Sequence, residues 1–210
     1  MSKDKPAPRH IVVLCHPDKE SFNASVAHRY CTSVRAAGHD VCLRDLYAMN
    51  FDPVLRTIER PGPTFKRCRD VEVELEVISG ADVLVLVYPI WFGAPPAMLK
   101  GYIDRVLGSG VPASALRTQS AGGVLAGKRL VSFTSSATTN VWLSLQGQPR
   151  SLENILDRYL THAFQMLPPQ HHHYGLIAPD IDALSVQRHL SDVDMHVRTL
   201  IRDMTDAKVA

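Results

Sequence analysis

No apolar run in this sequence approaches the roughly 20 residues that a membrane-crossing helix requires, so no membrane insertion is expected. The opening Met1-Ser2-Lys3-Asp4-Lys5-Pro6-Ala7-Pro8-Arg9 lacks the apolar stretch of a secretory signal, and a cytoplasmic protein is the expectation. Charge of one sign is missing too. The 23 basic and 21 acidic side chains leave a formal net charge of +2 spread along the chain, with no block that would form a nucleic-acid footprint. The four cysteines, Cys15, Cys31, Cys42 and Cys68, form neither a Cys-x-x-Cys pair nor paired metal-ligand spacing. They read as reduced packing residues. There is no Gly-x-Gly-x-x-Gly turn, no Walker loop, no internal repeat and no low-complexity linker. The internal triplet His171-His172-His173 invites a metal, but neighbours along a strand face opposite ways and cannot readily converge on one ion, so none is expected. His172 or His173 could instead line a pocket at a strand end.

What is present is an ordinary globular composition, 210 residues with 45% apolar and 21% charged side chains, enough for one full core. A flexible tail over residues 1–9 and a single domain over 10–206 are expected. Ile11-Val12-Val13-Leu14-Cys15 is a continuous apolar run, as in a strand covered on both faces. A helix follows from about Ser21 to Ala37, with Gly38 as its stop. Val41-Cys42-Leu43 predicts a second strand, and Val71, Leu75 and Ile78 a helical face that ends at Ser79-Gly80. Val83-Leu84-Val85-Leu86-Val87 predicts a buried strand, followed by a helix over about Pro96–Leu107 and a Gly/Ser/Ala-rich loop from Gly108 to Gly127. Leu130-Val131-Ser132-Phe133 predicts a fourth strand, Leu152–Met166 a helix, Tyr174-Gly175-Leu176-Ile177 a fifth strand, and Leu184–Met204 a closing helix. Five such alternations predict an α/β fold: a doubly wound five-stranded parallel sheet with helices on both faces and ligands at the carboxyl ends of its strands.

Three segments fall at those ends. His16-Pro17-Asp18-Lys19-Glu20-Ser21-Phe22-Asn23 runs from the first strand into the first helix, aiming backbone N–H groups and the positive helix end at a phosphate. Ser21 and Asn23 could add donors or merely cap the helix. Pro89-Ile90-Trp91-Phe92-Gly93-Ala94-Pro95 ends the third strand in two adjacent aromatics framed by prolines, a rigid wall suited to a flat heteroaromatic ring. Thr134-Ser135-Ser136-Ala137-Thr138-Thr139-Asn140 follows the fourth strand with a run of hydroxyls that could meet the polar edge of such a ring.

These residues resemble the flavodoxin-like NAD(P)H:quinone oxidoreductases, the family of DT-diaphorase, modulator-of-drug-activity proteins and ancillary subunits of potassium efflux systems. The resemblance lies in His16-Pro17 with Ser21-Phe22-Asn23, in Asp45 to Pro53, in Ala81-Asp82 through Pro96-Ala97-Met98-Leu99-Lys100-Gly101, and more loosely in Ser144-Leu145-Gln146-Gly147 and Phe164-Gln165-Met166-Leu167. It implies a homodimer with a flavin near each interface, passing a hydride from NAD(P)H to a quinone-like, azo or nitro-aromatic small molecule. By position it implies His16, Ser21, Phe22 and Asn23 at the phosphates, Pro89, Ile90, Trp91 and Phe92 under the isoalloxazine, and Thr134, Ser135, Ser136, Ala137 and Thr138 at the pyrimidine edge. FAD is the expected flavin with FMN as the alternative, and Trp142 and Phe164 are the expected substrate-pocket residues. No residue is assigned as catalytic, because the hydride chemistry belongs to the flavin.

The departures bear on the substrate side. The family's Thr-Thr-Gly-Gly loop reads Thr134-Ser135-Ser136-Ala137-Thr138 here, Trp142-Leu143 stands in the region of a usual Tyr, and Pro149 near a usual His. Ala113 and Ala115 replace two tyrosines that usually reach across from the neighbouring subunit. Each lost donor to a developing anion is worth about 1–3 kcal/mol, and losing two tyrosines widens the pocket toward a bulkier acceptor. Three other readings stay open. They are a pathway-specific flavin reductase or isomerase for a bulky metabolite, a redox-sensing regulatory flavin subunit docked to a membrane transporter, and a one-electron carrier, disfavoured because such carriers are usually shorter and strongly acidic.

Overall fold

The computed structural model describes residues 6–118, 123–145, 147, 151 and 153–207. Residues 1–5 of the expected tail, residues 119–122 of the expected loop, and Gln146, Pro149 and Leu152 lie outside them. The strands are β1 (Arg9–Leu14), β2 (Asp40–Asp45), β3 (Val83–Pro89), β4 (Arg129–Ser135) and β5 (Gln170–Tyr174). The helices are α1 (Phe22–Ala36), α2 (Arg69–Ser79), α3 (Ala97–Tyr102), α4 (Ala113–Arg117), α5 (Asn140–Leu145), α6 (Tyr159–Ala163) and α7 (Ala183–Asp206). Wider π turns extend α3 over Ile103–Leu107 and lead into α6 over Glu153–Arg158.

All strand pairs are parallel, in the order β2-β1-β3-β4-β5. The continuous apolar runs explain the centre: every residue of β3 and all but the first of β1 are buried, because both sheet faces are covered. On one face Val12, Leu14, Val85, Val87 and Phe133 pack against α1 and α7; on the other Ile11, Val13, Leu84, Leu86 and Leu130 pack against α2, α3 and α6. From β1 the chain crosses through α1 to β2, then returns past β1 through α2 to β3. The strand order therefore reverses between β1 and β3, which opens a crevice above their carboxyl ends.

Three element boundaries differ from expectation. Arg9 already pairs with Asp40 in β1, one residue before the expected start of the domain. The fifth strand is Gln170–Tyr174 rather than 174–177: Ser132, Phe133 and Thr134 pair with His171, His172 and His173, and the polar triplet, not the apolar run after it, joins the sheet edge. Within the expected loop from 108 to 127, residues 113–117 form α4, and residues 140–145 form α5, for which the sequence carries no periodic apolar signal.

The long loop between β2 and α2 is fixed by a buried cation. Arg105, 2% exposed, bonds Glu59 (2.8 Å) and Asp70 (2.8 Å), donates to the Asp52 carbonyl, and lies 5.2 Å from the centre of the Phe51 ring. Beside it Gly101 leaves room for the Pro53 backbone: a Cβ there would sit 2.2 Å from the Pro53 oxygen.

Two predictions follow from this packing. Arg105→Ala leaves the Glu59 carboxylate buried without its partner and is expected to cost about 3–5 kcal/mol in urea unfolding. The second concerns acid. Burial lowers His10 to about 4, His172 to about 3 and His173 to about 4, from an ordinary 6.5, with neighbouring histidines adding to each shift. Below about pH 6.5 the unfolded chain takes up protons that the native chain refuses, so stability falls progressively between about pH 6.5 and 4. Unfolding midpoints at pH 7 and pH 5 check this; an unchanged midpoint contradicts it.

Candidate functional site at the strand ends

Above the crevice the loop after β1 enters α1 through Ser21, whose Oγ accepts from Ala24 N–H at 3.2 Å as the N-cap. The capping role left open in the sequence is thus occupied. The Phe22 and Asn23 N–H groups make no hydrogen bond among the described residues, so two donors and the positive end of a 15-residue helix face the crevice. His16 Nδ1 accepts from Asp18 N–H at 3.0 Å, which leaves its Nε2 edge outward, and its ring meets Trp91 edge-on at 5.7 Å. The anion-suited turn and the aromatic wall are therefore neighbours.

The wall itself is a tight two-residue hairpin. Trp91 and Ala94 exchange both backbone hydrogen bonds, and Phe92 (φ 51°) and Gly93 (φ 77°) occupy left-handed conformations between them. Such a conformation is costly for an aromatic residue, and the turn leaves Phe92 fully exposed beside a Trp91 that is 41% exposed. Pro89 and Ile90, by contrast, are buried under the ledge. Of the four expected wall residues, two form the exposed surface and two support it.

The third segment locks to the first two. Ser135 O accepts from Ile90 N–H at 2.7 Å, and Ser135 Oγ donates to the buried Asn23 Oδ1 at 2.8 Å. Asn23 is therefore committed to the loop after β4 through its side chain and offers the crevice only its N–H. Thr134, Ser135 and Ser136 are buried, while Ala137 and Thr138 are exposed on the rim. Ser136 N–H and Ile177 N–H close this loop against the end of β5, through Tyr174 O (3.0 Å) and Ser136 O (2.9 Å).

The two expected substrate-pocket residues separate. Trp142, in α5 just past the rim, is 47% exposed, its N–H bonded to Thr139 Oγ1 at 3.0 Å. Phe164 is buried in the core among α2, α3 and α6, and the chain around it is tied to the entry of β4: Gly127 N–H donates to Gln165 O and Leu167 N–H to Lys128 O, both at 2.9 Å. A crossover helix runs antiparallel to the strands it joins, so its C-terminal residue lands at the end of the sheet away from the crevice. Phe164 therefore lies there, away from the crevice, and borders the cavities on that side of the sheet. Ala113, exposed, and Ala115, against the core, lie on α4.

Beside the rim a cavity of about 690 Å³ continues between the end of β5 and the start of α7, lined by Thr139, His173, Tyr174, Leu176, Asp182 and His189. Phe22 borders it, edge-on to Tyr174 (5.5 Å) and His189 (5.7 Å). Of the two histidines expected near a pocket, His173 reaches this cavity and His172 does not: His172 turns to the opposite face, stacked on His196 at 3.5 Å and packed near Phe133. Cys15, at the end of β1, is buried and its thiol is pushed up to about 12, which removes it as a nucleophile.

The donor set suits a ligand with an anionic part and a planar part. Free N–H groups at a helix start fit phosphate, an exposed Trp/Phe ledge fits an aromatic ring, and the bordering cavity leaves room for a further group. The polar chain beneath the rim, in which Asp157, His171 and His173 take part, has no signature in the sequence, because its members lie on different elements.

Comparison with known proteins agrees. A family profile described as flavodoxin-like fold matches residues 8–197. An uncharacterized NAD(P)H oxidoreductase of Haemophilus influenzae is 36% identical over 149 residues, 70% of this chain and 73% of its own. NAD(P)H dehydrogenase [quinone] 1 of Cavia porcellus is 28% identical over 186 residues, 77% of this chain and 67% of its own. The solved NAD(P)H:quinone oxidoreductase from Methanothermobacter marburgensis superposes with a TM-score of 0.77 at 26% identity, covering 92% of this chain and 96% of that one. With the parallel sheet, its order reversal and the match over residues 8–197 in agreement, the chain belongs to the flavodoxin-like fold family.

Proposed function

We propose that this protein is a flavin-dependent NAD(P)H oxidoreductase that passes a hydride from the nicotinamide to a quinone-like, azo or nitro-aromatic acceptor. The observation that carries the reading is the juxtaposition of a helix start with free N–H groups and an exposed, conformationally costly Trp91-Phe92 ledge, 5.7 Å from His16. Strain of this kind persists where it serves a ligand. The names of the relatives support the same chemistry.

In this reading His16, Ser21, Phe22 and Asn23 hold the phosphate end. Trp91 and Phe92 carry the ring, Pro89 and Ile90 brace the ledge, and Thr134 to Thr138 close the polar edge. The flavin, when bound, supplies the hydride-carrying chemistry, and the chain supplies orientation and exclusion of water. Trp142 stands where an acceptor would enter. FAD is favoured over FMN because the cavity between β5 and α7 adjoins the phosphate turn through Phe22 and has the size for a second ring system. A homodimer is supported by the exposed Leu55, Ile155 and Tyr159, of which Leu55 and Tyr159 line a groove beside α3 and α6. The expected cytoplasmic location is consistent with the finding that no helix among the described residues is long and apolar enough to cross a membrane.

The purified protein is expected to be yellow, to release FAD on denaturation, and to bleach within one turnover of added NADH or NADPH. A colourless protein that takes up neither flavin overturns the reading. Trp91→Ala is expected to weaken flavin binding roughly tenfold through lost ring contact, as read by fluorescence titration. Phe92→Gly relieves the left-handed backbone and is expected to leave urea stability unchanged, or higher by up to about 1 kcal/mol, while also weakening flavin retention. A stability loss beyond 1 kcal/mol contradicts the strain argument.

A further inference from the structure

Under the rim, the face of β4 and β5 that looks toward α6 carries a line of polar groups inside an otherwise apolar core. Ser132, Thr134 and Ser136 alternate along β4 and its extension, and His171 and His173 alternate along β5, so all five point to the same face. Asp157, from the π turn before α6, is fully buried beneath them. Ser132 Oγ donates to Asp157 Oδ1 at 2.6 Å, and His171 Nδ1 pairs with Asp157 Oδ2. Thr134 Oγ1 lies 2.8 Å from both His171 Nε2 and His173 Nδ1, and Ser136 Oγ lies 3.0 Å from His173 Nε2. Ser136 Oγ in turn meets Thr138 Oγ1 at 3.4 Å, on the exposed rim. The line is unbroken from a buried carboxylate to the crevice.

The Asp-His-Thr part has the order of a nucleophilic triad, yet Thr134 is 1% exposed and both faces of its hydroxyl are taken by imidazoles, so no substrate carbon can reach it. What such a line can do is move a proton. Six groups, from Asp157 to Thr138, permit two polarities. With Asp157 a carboxylate, every donor points inward: Thr138 O–H to Ser136, Ser136 O–H to His173 Nε2, His173 Nδ1–H to Thr134, Thr134 O–H to His171 Nε2, and His171 Nδ1–H to Asp157. With Asp157 protonated, every donor points outward, from Ser136 O–H toward Thr138, whose carbonyl lies 3.3 Å and hydroxyl 3.4 Å away, ending at the exposed Thr138 O–H on the rim. The two polarities differ by one proton and leave both imidazoles neutral in each. Burial, and then His171, hold His173 down to about 4, in keeping with a ring that passes protons without retaining one.

We infer that Asp157, His171, Thr134, His173, Ser136 and Thr138 form a one-proton relay that supplies the proton accompanying hydride transfer at the rim. The inference rests on the oxidoreductase reading above. The overall reaction is NAD(P)H plus a proton plus quinone giving NAD(P)+ and hydroquinone. The nicotinamide C–H bond breaks with its electron pair, the nicotinamide is oxidised and the quinone reduced. The proton reaches a ligand oxygen from the Thr138 hydroxyl while each interior proton, that of Ser136 included, steps outward by one group, and Asp157 ends as the carboxylate. Solvent at the rim refills the line by the reverse steps. Thr138, exposed on the rim, alone touches the ligand; Asp157, His171, Thr134, His173 and Ser136 act through it. This gives the chain a proton source in a family context where its usual Tyr and His positions read Trp142-Leu143 and Pro149.

The first test needs no flavin. Nitrogen NMR of labelled histidine in the flavin-free protein at pH 7 is expected to show His171 and His173 as neutral rings sharing one tautomer, both Nδ1–H with the line empty or both Nε2–H with it loaded, and Asp157→Asn to uncouple them. A doubly protonated His171, or opposite tautomers at the two positions, overturns the relay. The second test follows the acceptor half-reaction of the flavin-loaded protein by stopped flow. Thr134→Val, which removes only the bridging hydroxyl, is expected to slow it roughly 100-fold, and Thr134→Ser to restore it. Wild-type speed in the valine variant overturns the relay. Should Thr134→Val fail to fold, the wild-type rate in mixtures of light and heavy water decides: a bowed dependence supports several protons in flight, a linear one does not and overturns the relay. A wild-type protein without flavin, or unbleached by NAD(P)H, defeats the oxidoreductase reading, and the tautomer measurement still judges the hydrogen-bonded line by itself.

Discussion

The site depends on three parallel strands ending at one level. β1, β3 and β4 pair so that Leu14 stands beside Val87 and Pro89 beside Ser135, and the carbonyl of Ser135 then receives the Ile90 N–H. From the same residue the Ser135 hydroxyl reaches Asn23 at the start of α1. A slip of one residue in β4 would send every one of its side chains to the other face and detach both contacts. The loop after β1, the aromatic hairpin and the hydroxyl-bearing loop are thus held in mutual position by backbone register, with one buried side-chain hydrogen bond as the pin.

The same register sorts the chemistry of the two faces. Phe133 and His172 turn toward α7, where His172 stacks on His196 and burial holds it neutral. Ser132, Thr134, His171 and His173 turn toward α6, where Asp157 waits. Period-two alternation therefore places three consecutive histidines in two unrelated environments: one packs, two conduct. A buried polar line is tolerated only because every member finds a partner, so its satisfaction is a condition for the fold as well as a resource for the site.

Much of the architecture was legible in the chain. The apolar runs at Ile11–Cys15 and Val83–Val87 predict central strands, and they are the central strands, since only a strand covered twice tolerates such composition. Ser21 sits at the helix start where its type predicts a cap. Trp91 and Phe92 emerge at the rim because prolines and a glycine leave that segment no helix or strand to join. Where Phe164 falls was not legible, because sequence similarity carries no direction, whereas a crossover helix delivers its last residue to the far edge of the sheet. The fifth strand was misplaced by three to four residues because an edge strand made of histidines satisfies itself through hydrogen bonds, not apolar burial.

By itself, then, the sequence determined which segments become strands and helices and in what alternation, since those follow from local periodicity and turn chemistry. It also marked the three loops that bear the candidate ligand groups. Only the tertiary structure decided which of those groups are free and which are spent on the fold. Asn23 lost its side chain to Ser135, Thr134 lost its hydroxyl to two imidazoles, and Asp157 came within reach of a strand it precedes by more than ten residues. The reason is physical: a hydrogen bond is decided by where two elements meet, and that meeting is fixed by sheet register and crossover direction, which no local stretch of residues encodes.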